Sequence, residues 1–350
     1  MRRVALALSV ATLLPLVAAM AVASDPAATP PKPPPKPPPA GLLHEVTYTT
    51  TVPAQAAGTK RVEIWLPVPF EDDTQRVLCL KVKADVPWEL TRDRVHGNRM
   101  LHAVVEAPTG PVTLVWTAIV DRDQDAGQGG GAVLPSHLAS DARAAVDGKA
   151  TAIAKELGVD AADQPVRLRA QRIYEYVLAT MVYDKVTPGW GAGDFTRACD
   201  VGRGNCSDFA AKFIAIARAA GVPARWVSAI SVAADHVGCS ACGYHCYAQF
   251  REGDRWVPAD ASDARKVLET DPAKAKWFFG NAEATSVVLS VGRDLELAPK
   301  QQGPAVNYLG GPYVEVDGKP FAVPADHRKY DSKVLEETPR APKQARPGRP

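Results

Sequence analysis

The fold is decided by the stretch Gly204-Asn205-Cys206-Ser207-Asp208-Phe209-Ala210, in which a cysteine stands at the start of an apolar helical pattern. Apolar residues recur at helical spacing up to residue 217, and the Gly-Val-Pro run at 221–223 ends the pattern. Cys206 is therefore predicted in the first turn of a buried helix, where free backbone N–H groups and the helix dipole favour a thiolate. Gly204 permits the tight entry to that turn. Capping is the interpretation that we favour for Asp208, an ordinary first-turn residue.

A predicted hairpin downstream supplies a histidine and an aspartate. Residues 244–250 alternate as a strand does, and a turn at 252–254 leads into a returning strand at 256–260. Asp260 at the strand end can bond the ring nitrogen of His245 that faces away from a thiol, which fixes the tautomer and stabilises an imidazolium. Neither residue alone indicates a site, but their conjunction with Cys206 suits nucleophilic catalysis, because a thiol attacks only as thiolate.

These segments resemble the transglutaminase-like core, whose members carry G-x-C, then H-x-W, then W-x-x-x-D. This chain carries G-x-C at 204–206 and W-x-x-x-D at 256–260, and His245 is followed by Tyr247 where tryptophan is usual. The G-V-P-A-R-W-V run at 221–227 is similar to that family's strand entry. Segments at 292–297 and 312–318 are similar to its C-terminal part, so the resemblance extends from about residue 166 to residue 318.

The resemblance implies an α+β fold with a papain-like core and a thioacyl mechanism. Cys206 would attack an amide or ester carbonyl of a peptide or protein, His245 would act as base and then as acid, and Asp260 would orient His245. Water as acceptor gives a hydrolase or peptidase, an amine gives a transglutaminase, and the resemblance does not choose between them. No cofactor and no metal, calcium included, is expected.

The resemblance also implies an oxyanion hole built from the backbone N–H of Cys206 and one upstream donor. Tyr183 and Trp190 are the candidates for that donor. Each of these side chains could equally be a core aromatic.

The N-terminus predicts export. Residues 1–23 have a basic start, an apolar stretch and a small-residue cleavage site, which together indicate a signal peptide, and no later run is apolar enough to span a bilayer. Residues 24–41 are a Pro-rich linker that favours extended polyproline geometry. We expect a periplasmic or extracellular protein.

Between the linker and the C-terminus the pattern predicts two domains. Short β-branched runs over residues 42–125 predict a β-sandwich, a Gly-rich junction follows, and residues 132–325 form the predicted transglutaminase-like core. Helices are predicted at about 136–157 and 165–182. The Lys-, Arg- and Pro-rich tail at 326–350 is predicted to be disordered.

Charge and cysteine content leave three classes of function open. The net charge of +2 gives no indication of nucleic-acid binding. The six cysteines are Cys79, Cys199, Cys206, Cys239, Cys242 and Cys246. Disulfides or free thiols are favoured over a zinc site made by Cys239, Cys242, Cys246 and either His236 or Cys199, because the only regular spacing is one C-x-x-C. The favoured hypothesis is a cysteine enzyme, and the alternatives are an inactive scaffold with the same fold and a metal or redox protein built on the Cys239–Cys246 cluster.

Overall fold

The structure is a computed structural model that describes residues 41–146, 148–234, 239–240 and 243–337, with only the backbone described at 239–240. The predicted signal peptide and the predicted linker up to residue 40 lie outside these residues. None of the helices in the described part of the chain has both the length and the apolar character needed to cross a bilayer.

Strands dominate both ends of the described chain, and helices lie in its middle. The strands are β1 (Gly41–Val52), β2 (Arg61–Pro67), β3 (Gln75–Ala84), β4 (Trp88–Arg92), β5 (Arg99–Glu106), β6 (Val112–Asp123), β7 (Val182–Tyr183), β8 (Arg203–Gly204), β9 (Ala224–Ser231), β10 (Cys239–Ser240), β11 (Tyr244–Glu252), β12 (Arg255–Ala259), β13 (Ser286–Val291), β14 (Tyr313–Val316), β15 (Lys319–Phe321) and β16 (Arg328–Glu337). The helices are α1 (Lys149–Glu156), α2 (Val166–Thr180), α3 (Phe195–Val201), α4 (Cys206–Ala219), α5 (Ala261–Val267) and α6 (Pro272–Trp277), with single 3₁₀ turns at Pro135–His137 and Ala325–His327.

The predicted β-sandwich is present and consists of two antiparallel five-stranded sheets. One sheet has the order β10-β16-β1-β6-β3 and the other β15-β14-β2-β5-β4. In β1 buried residues alternate with partly exposed ones, as expected for a strand with one face on the core. Tyr48 of β1 lies opposite Trp116 of β6, and both are fully buried. The core between the sheets is therefore formed largely by large aromatic and β-branched side chains.

The prediction of a disordered tail from residue 326 is wrong for residues 328–337. These residues form β16, which pairs with β1, and the Tyr330 ring stacks on Tyr48 with 4.0 Å between ring centroids. Residues 338–350 lie outside the described chain. Because β14 and β15 also join the sandwich, both ends of the chain build it, and the expected division at about residue 130 does not separate two independent units.

The core around α4 is the predicted α+β layer. A four-stranded antiparallel sheet of order β12-β11-β9-β13 packs one face against α4. Cys246, Ala248 and Phe250 of β11 lie in the cluster with α4, whereas Tyr247 packs on the opposite face, which agrees with the predicted alternation. From Cys206 to Arg218 every residue of α4 is buried, so this helix is enclosed on all sides.

The predicted helix at 136–157 is largely wrong. Only Lys149–Glu156 is α-helical, because Gly148 adopts a positive φ of 50° that interrupts a right-handed helix at this point. Before it, Asp141 forms an ion pair of 2.8 Å with the buried Arg218 of α4. This tertiary contact outweighs the local helix propensity. The second predicted helix is present as α2.

Candidate active site

Cys206 lies at the first position of α4, next to a complete N-terminal cap. The Asn205 side chain accepts a hydrogen bond of 3.0 Å from the Ser207 backbone N–H, and Asp208 Oδ2 accepts one of 3.0 Å from the Asn205 N–H. Such reciprocal caps hold the first turn in one geometry. The Cys206 sulfur therefore sits where the unpaired N–H groups and the dipole of a long buried helix stabilise negative charge.

Asp208 is a buried structural anchor, as the capping interpretation predicts. Its Oδ2 also accepts a hydrogen bond of 2.8 Å from the Gly191 N–H, so it ties the preceding loop to the helix entrance. A Cβ on Gly204 would lie 2.6 Å from the Asp208 Cβ, closer than atoms tolerate. Glycine is required at 204 because the anchoring carboxylate occupies the space that a side chain would need.

His245 and Asp260 are brought together by the β11–β12 hairpin. His245 Nε2 lies 2.6 Å from Asp260 Oδ2, and both residues are 4% exposed. The same carboxylate is the N-cap of α5, since its Oδ1 accepts hydrogen bonds from the Ser262 hydroxyl at 2.9 Å and from the Asp263 N–H at 3.0 Å. These bonds fix the carboxylate. With Nε2 engaged by Asp260, Nδ1 is the ring nitrogen left for another partner.

The charge of the His245 imidazole acts on the Cys206 thiol and favours its thiolate form. A hydrogen bond from the Cys246 thiol, together with the hydrogen bond and charge of His245, outweighs burial and holds the pKa of Cys206 well below its ordinary value. Burial opposes the imidazolium, but the carboxylates of Asp260 and Asp263 outweigh it and raise the pKa of His245 well above the ordinary value. Both directions favour the charged forms, a thiolate on Cys206 and an imidazolium on His245.

Asp263 is a second carboxylate at the imidazole that the sequence analysis missed. Its Oδ2 lies 3.7 Å from His245 Nε2, and its Oδ1 is paired with Lys266. The ligand atoms of His245, Asp260 and Asp263 lie within 4.8 Å of one another, a spacing that could hold a cation. The hydrogen bond between His245 and Asp260 uses this nitrogen already, so we interpret the cluster as charge stabilisation. The sequence contained a signal for Asp263, because Asp260 and Asp263 are three residues apart at a helix start and so lie on the same side of the helix.

Cys246 and a group of hydroxyls lie beside the start of α4, and the sequence analysis did not identify them as site residues. The Cys246 sulfur lies 3.6 Å from the Ser207 hydroxyl, and that hydroxyl is 3.2 Å from the Tyr244 hydroxyl. The Tyr308 ring stacks on Tyr244 with 5.6 Å between centroids. Burial and the neighbouring Cys206 sulfur raise the pKa of Cys246 well above its ordinary value, so this thiol keeps its proton.

The C-terminal part of the core clamps the loop beside the helix entrance. Arg293 Nη2 donates to the Gly193 carbonyl at 2.9 Å, and the Tyr308 hydroxyl donates to the Gly191 carbonyl at 3.2 Å. Gly191 in turn holds Asp208. The segment that carries Arg293 therefore supports the position of Cys206 from a distance in sequence.

The comparisons with known proteins agree with the fold around this site. Residues 151–261 match the family model described as the transglutaminase-like superfamily core. The chain contains a transglutaminase-like core. An uncharacterized protein from Haemophilus influenzae (strain ATCC 51907 / DSM 11121 / KW20 / Rd) is 27% identical over 320 residues, which cover 79% of this chain and 85% of that protein. The crystal structure of a candidate cysteine protease from Cytophaga hutchinsonii has a TM-score of 0.56 at 15% identity, covering 85% of this chain and 91% of that chain. At this identity the match shows a shared fold.

One departure from the family motif is compensated within this transglutaminase-like core. Tyr247, which stands where the family usually has tryptophan, is 2% exposed, and its ring centroid is 6.0 Å from that of His245. A large aromatic side chain thus packs beside the imidazole here as well.

The two predicted oxyanion donors take different positions around the transglutaminase-like core. The Tyr183 ring lies 6.3 Å from that of Phe209 and beneath the Lys266 ammonium, 4.5 Å from the centroid, so it forms part of a packed wall. Trp190 is 42% exposed in the loop before α3. Their contribution to an oxyanion hole stays a prediction.

A small polar recess adjoins the imidazole on the side of Asp260. Asp263, Glu283 and Ser286 line it together with His245. Its volume of about 20 Å³ is enough for one water molecule but not for a substrate side chain.

The alternative metal cluster falls mostly outside the described side chains. His236 and Cys242 are not described, and of Cys239 only the backbone is described, in β10. The two remaining members lie on different elements: Cys246 on β11 and Cys199 on α3.

Proposed function

We propose that this protein is a cysteine enzyme that cleaves or transfers acyl groups at amide bonds of peptides or proteins, with Cys206 as nucleophile. The observation that carries the proposal is the buried hydrogen bond of 2.6 Å between His245 and Asp260. Cys206 at the start of a buried helix supports the same proposal, because the charge of His245 lowers the pKa of its thiol. An inactive scaffold would have no need to keep an oriented imidazole and carboxylate buried in this way.

The proposed reaction passes through a thioacyl intermediate. The Cys206 thiolate attacks the carbonyl carbon, and the resulting oxyanion is held by the Cys206 backbone N–H and a second donor, for which Tyr183 and Trp190 are the candidates. The His245 imidazolium gives its proton to the leaving amine, and the C–N bond breaks. Neutral His245 then takes a proton from the acceptor, which attacks the thioester and releases Cys206.

We propose that the reaction takes place outside the cytoplasm, on peptides or proteins of the periplasm or the extracellular space. The basic start, apolar stretch and small-residue cleavage site of residues 1–23 support this location. Both water and an amine are compatible with the site as acceptors.

The test is to trap the intermediate on the purified chain. With p-nitrophenyl acetate as acyl donor we expect a burst of p-nitrophenolate and one acetyl group on the peptide that contains Cys206, found by mass spectrometry. Adding a biotinylated primary amine together with a peptide library separates transfer, which attaches biotin to peptides, from hydrolysis, which does not.

Cys206→Ala should abolish both burst and adduct, and His245→Ala should reduce them strongly. Cys79→Ala is the matched control, because Cys79 is a free thiol on β3 of the sandwich. Acetylation that survives in Cys206→Ala, or that falls equally on Cys79, would contradict the proposal.

A further inference from the structure

Three side chains of the kinds that bind metal ions converge on one point beside the polar recess. His245 Nε2 lies 2.6 Å from Asp260 Oδ2 and 3.7 Å from Asp263 Oδ2, and the three ligand atoms all lie within 4.8 Å of one another. In a tetrahedral zinc site the N and O ligands lie about 2.0–2.2 Å from the metal, which places them about 3.3–3.6 Å from each other. The two separations from Nε2 fall on either side of this range, so small side-chain adjustments bring the ligands to coordination distance.

The other oxygen of each carboxylate is already held by a different group. Asp260 Oδ1 accepts hydrogen bonds from the Ser262 hydroxyl at 2.9 Å and from the Asp263 N–H at 3.0 Å, and Asp263 Oδ1 is paired with Lys266. Each carboxylate is thereby oriented with its Oδ2 toward the imidazole, which is the outer support that protein metal sites use. The Asp263 side chain is 27% exposed, so an ion has a path to these atoms from solvent.

The recess itself points to a ligand independently of the carboxylates. Its volume of about 20 Å³ is enough for one water molecule beside His245. Ser286 lines the recess and is 7% exposed, and its buried hydroxyl has no hydrogen-bond partner in the described part of the chain. Buried hydroxyls normally have a partner, and a water bound to a metal ion in the recess would supply one. Three protein ligands and one water are the coordination set of an open zinc site.

We propose that this point is an inhibitory Zn²⁺ site, with His245, Asp260 and Asp263 as ligands and a water held by Ser286 in the fourth position. The zinc ion takes the place of the proton between His245 Nε2 and Asp260, and that proton is released to solvent. A neutral imidazole nitrogen with two carboxylate oxygens suits zinc, whereas calcium requires six to eight oxygen ligands and magnesium a near-ideal octahedron.

The inhibitory effect rests on the proposed function, although metal binding itself needs no substrate. With zinc on Nε2, the His245 ring has no free nitrogen left to become an imidazolium when Nδ1 carries a proton. The ring then cannot serve as the acid and base of the acyl-transfer cycle. Zinc therefore acts on this site as an inhibitor and not as a cofactor.

The test measures metal binding to the purified full chain separately from turnover. Co²⁺ is added to the chelator-treated protein as a spectroscopic probe. We expect the visible bands of four-coordinate cobalt without the intense near-ultraviolet band that thiolate ligands give, and Zn²⁺ should displace this cobalt. Zn²⁺ should also suppress steady-state hydrolysis of p-nitrophenyl acetate, and EDTA should restore it.

Variants identify the ligands through zinc affinity, measured by competition with a chromophoric chelator. Asp263→Asn should weaken zinc binding by at least about tenfold, and Ser286→Ala should weaken it less, because it removes only the support of the bound water. Glu269→Gln is the matched control. It also removes one carboxylate charge just after α5, but from a side chain that is 79% exposed and paired with Arg265, so zinc affinity should not change.

The proposal is overturned if Asp263→Asn and Glu269→Gln bind zinc equally well, or if bound zinc leaves turnover unchanged. It is also overturned if Cys206→Ala or Cys242→Ser abolishes the cobalt spectrum, because the metal would then lie on thiolates. The two proposals fail separately. An acyl burst in a chain that binds no zinc contradicts this inference alone, whereas zinc binding at these ligands in a metal-free chain without a burst contradicts the proposed function and the inhibitory effect but supports the metal site.

Discussion

Replacing Asp260 with asparagine removes one negative charge and one hydrogen-bond acceptor from the site. The single carbonyl oxygen of asparagine can still accept the hydrogen bonds that the Asp263 N–H and the Ser262 hydroxyl give to Asp260, so α5 keeps its N-cap. The amide nitrogen then faces His245 Nε2, and it cannot accept a hydrogen bond from the ring. The change therefore removes both the charge and the acceptor that Asp260 Oδ2 places 2.6 Å from the imidazole.

The size of the effect follows from the burial of the pair. The side chains of His245 and Asp260 are 6% and 5% exposed, so solvent screens their interaction weakly. A hydrogen bond between charged groups contributes about 1.5–3 kcal/mol, and 1.36 kcal/mol corresponds to one pKa unit. Loss of this interaction should lower the pKa of His245. The thiolate of Cys206 is then stabilised by less positive charge, so the pKa of Cys206 should rise.

The assay is the rate of iodoacetamide alkylation at Cys206 as a function of pH, followed by mass spectrometry. Wild type should react fast at neutral pH with a midpoint well below that of an ordinary thiol, and Asp260→Asn should shift the midpoint upwards. Asp271→Asn is the matched control, because Asp271 caps α6 through the Lys274 N–H at 2.9 Å. The reasoning is refuted if Asp260→Asn leaves the midpoint unchanged, or if the control shifts it equally.

Two further predictions concern the helix entrance and the acid stability of the fold. Gly204→Ala should lower the free energy of unfolding by about 1–3 kcal/mol and slow alkylation of Cys206, because the new Cβ displaces Asp208 from its cap. Chemical denaturation measures the change in free energy, and Gly243→Ala is the control, because Gly243 has open space around it. Burial lowers the pKa of His44 from 6.5 to about 4, although its hydrogen bond to the Ala284 carbonyl acts in the opposite direction. In the unfolded chain this histidine therefore binds a proton below pH 6.5, whereas in the folded chain it binds one only below about pH 4. Stability should therefore be fully present above pH 6.5 and fall by about 3 kcal/mol as pH drops to about 4, a loss that His44→Gln should remove from the pH profile of thermal unfolding.

Each of these has an outcome that contradicts it. Equal denaturation midpoints for Gly204→Ala and Gly243→Ala would mean that Asp208 can move at no cost. An unchanged pH profile in His44→Gln would mean that this histidine is protonated equally in both states.

Local patterns were sufficient to predict the parts of the site that lie close together in sequence. The helix after Cys206 and the hairpin that carries His245 and Asp260 follow from periodicity and turn residues alone, and the structure has them at the predicted places. The strand β16 could not be predicted in this way. Its Lys- and Arg-rich sequence is typical of a solvated tail, and only the pairing with β1, at the other end of the chain, makes it a strand.

Cys246 and Asp263, the site residues that the sequence analysis missed, were missed for a different reason. Cys246 was considered as one of a cysteine cluster, whereas the pleat of β11 turns it toward α4 and so toward Cys206. Asp263 could have been predicted from the sequence, since α5 starts at the strand end and its first turn places Asp263 beside the imidazole. Both are consequences of side-chain direction, which a sequence motif alone does not record.

Burial of the site carries an energetic cost, and the hydrogen-bond donors and charges around Cys206 and His245 offset it. Taking a thiolate and an imidazolium out of water is costly, and a single helix N-terminus, worth about 0.3–1 kcal/mol in most settings, would not offset it. The additional donors and charges, namely Cys246 on the sulfur and Asp260 with Asp263 on the ring, supply the remainder.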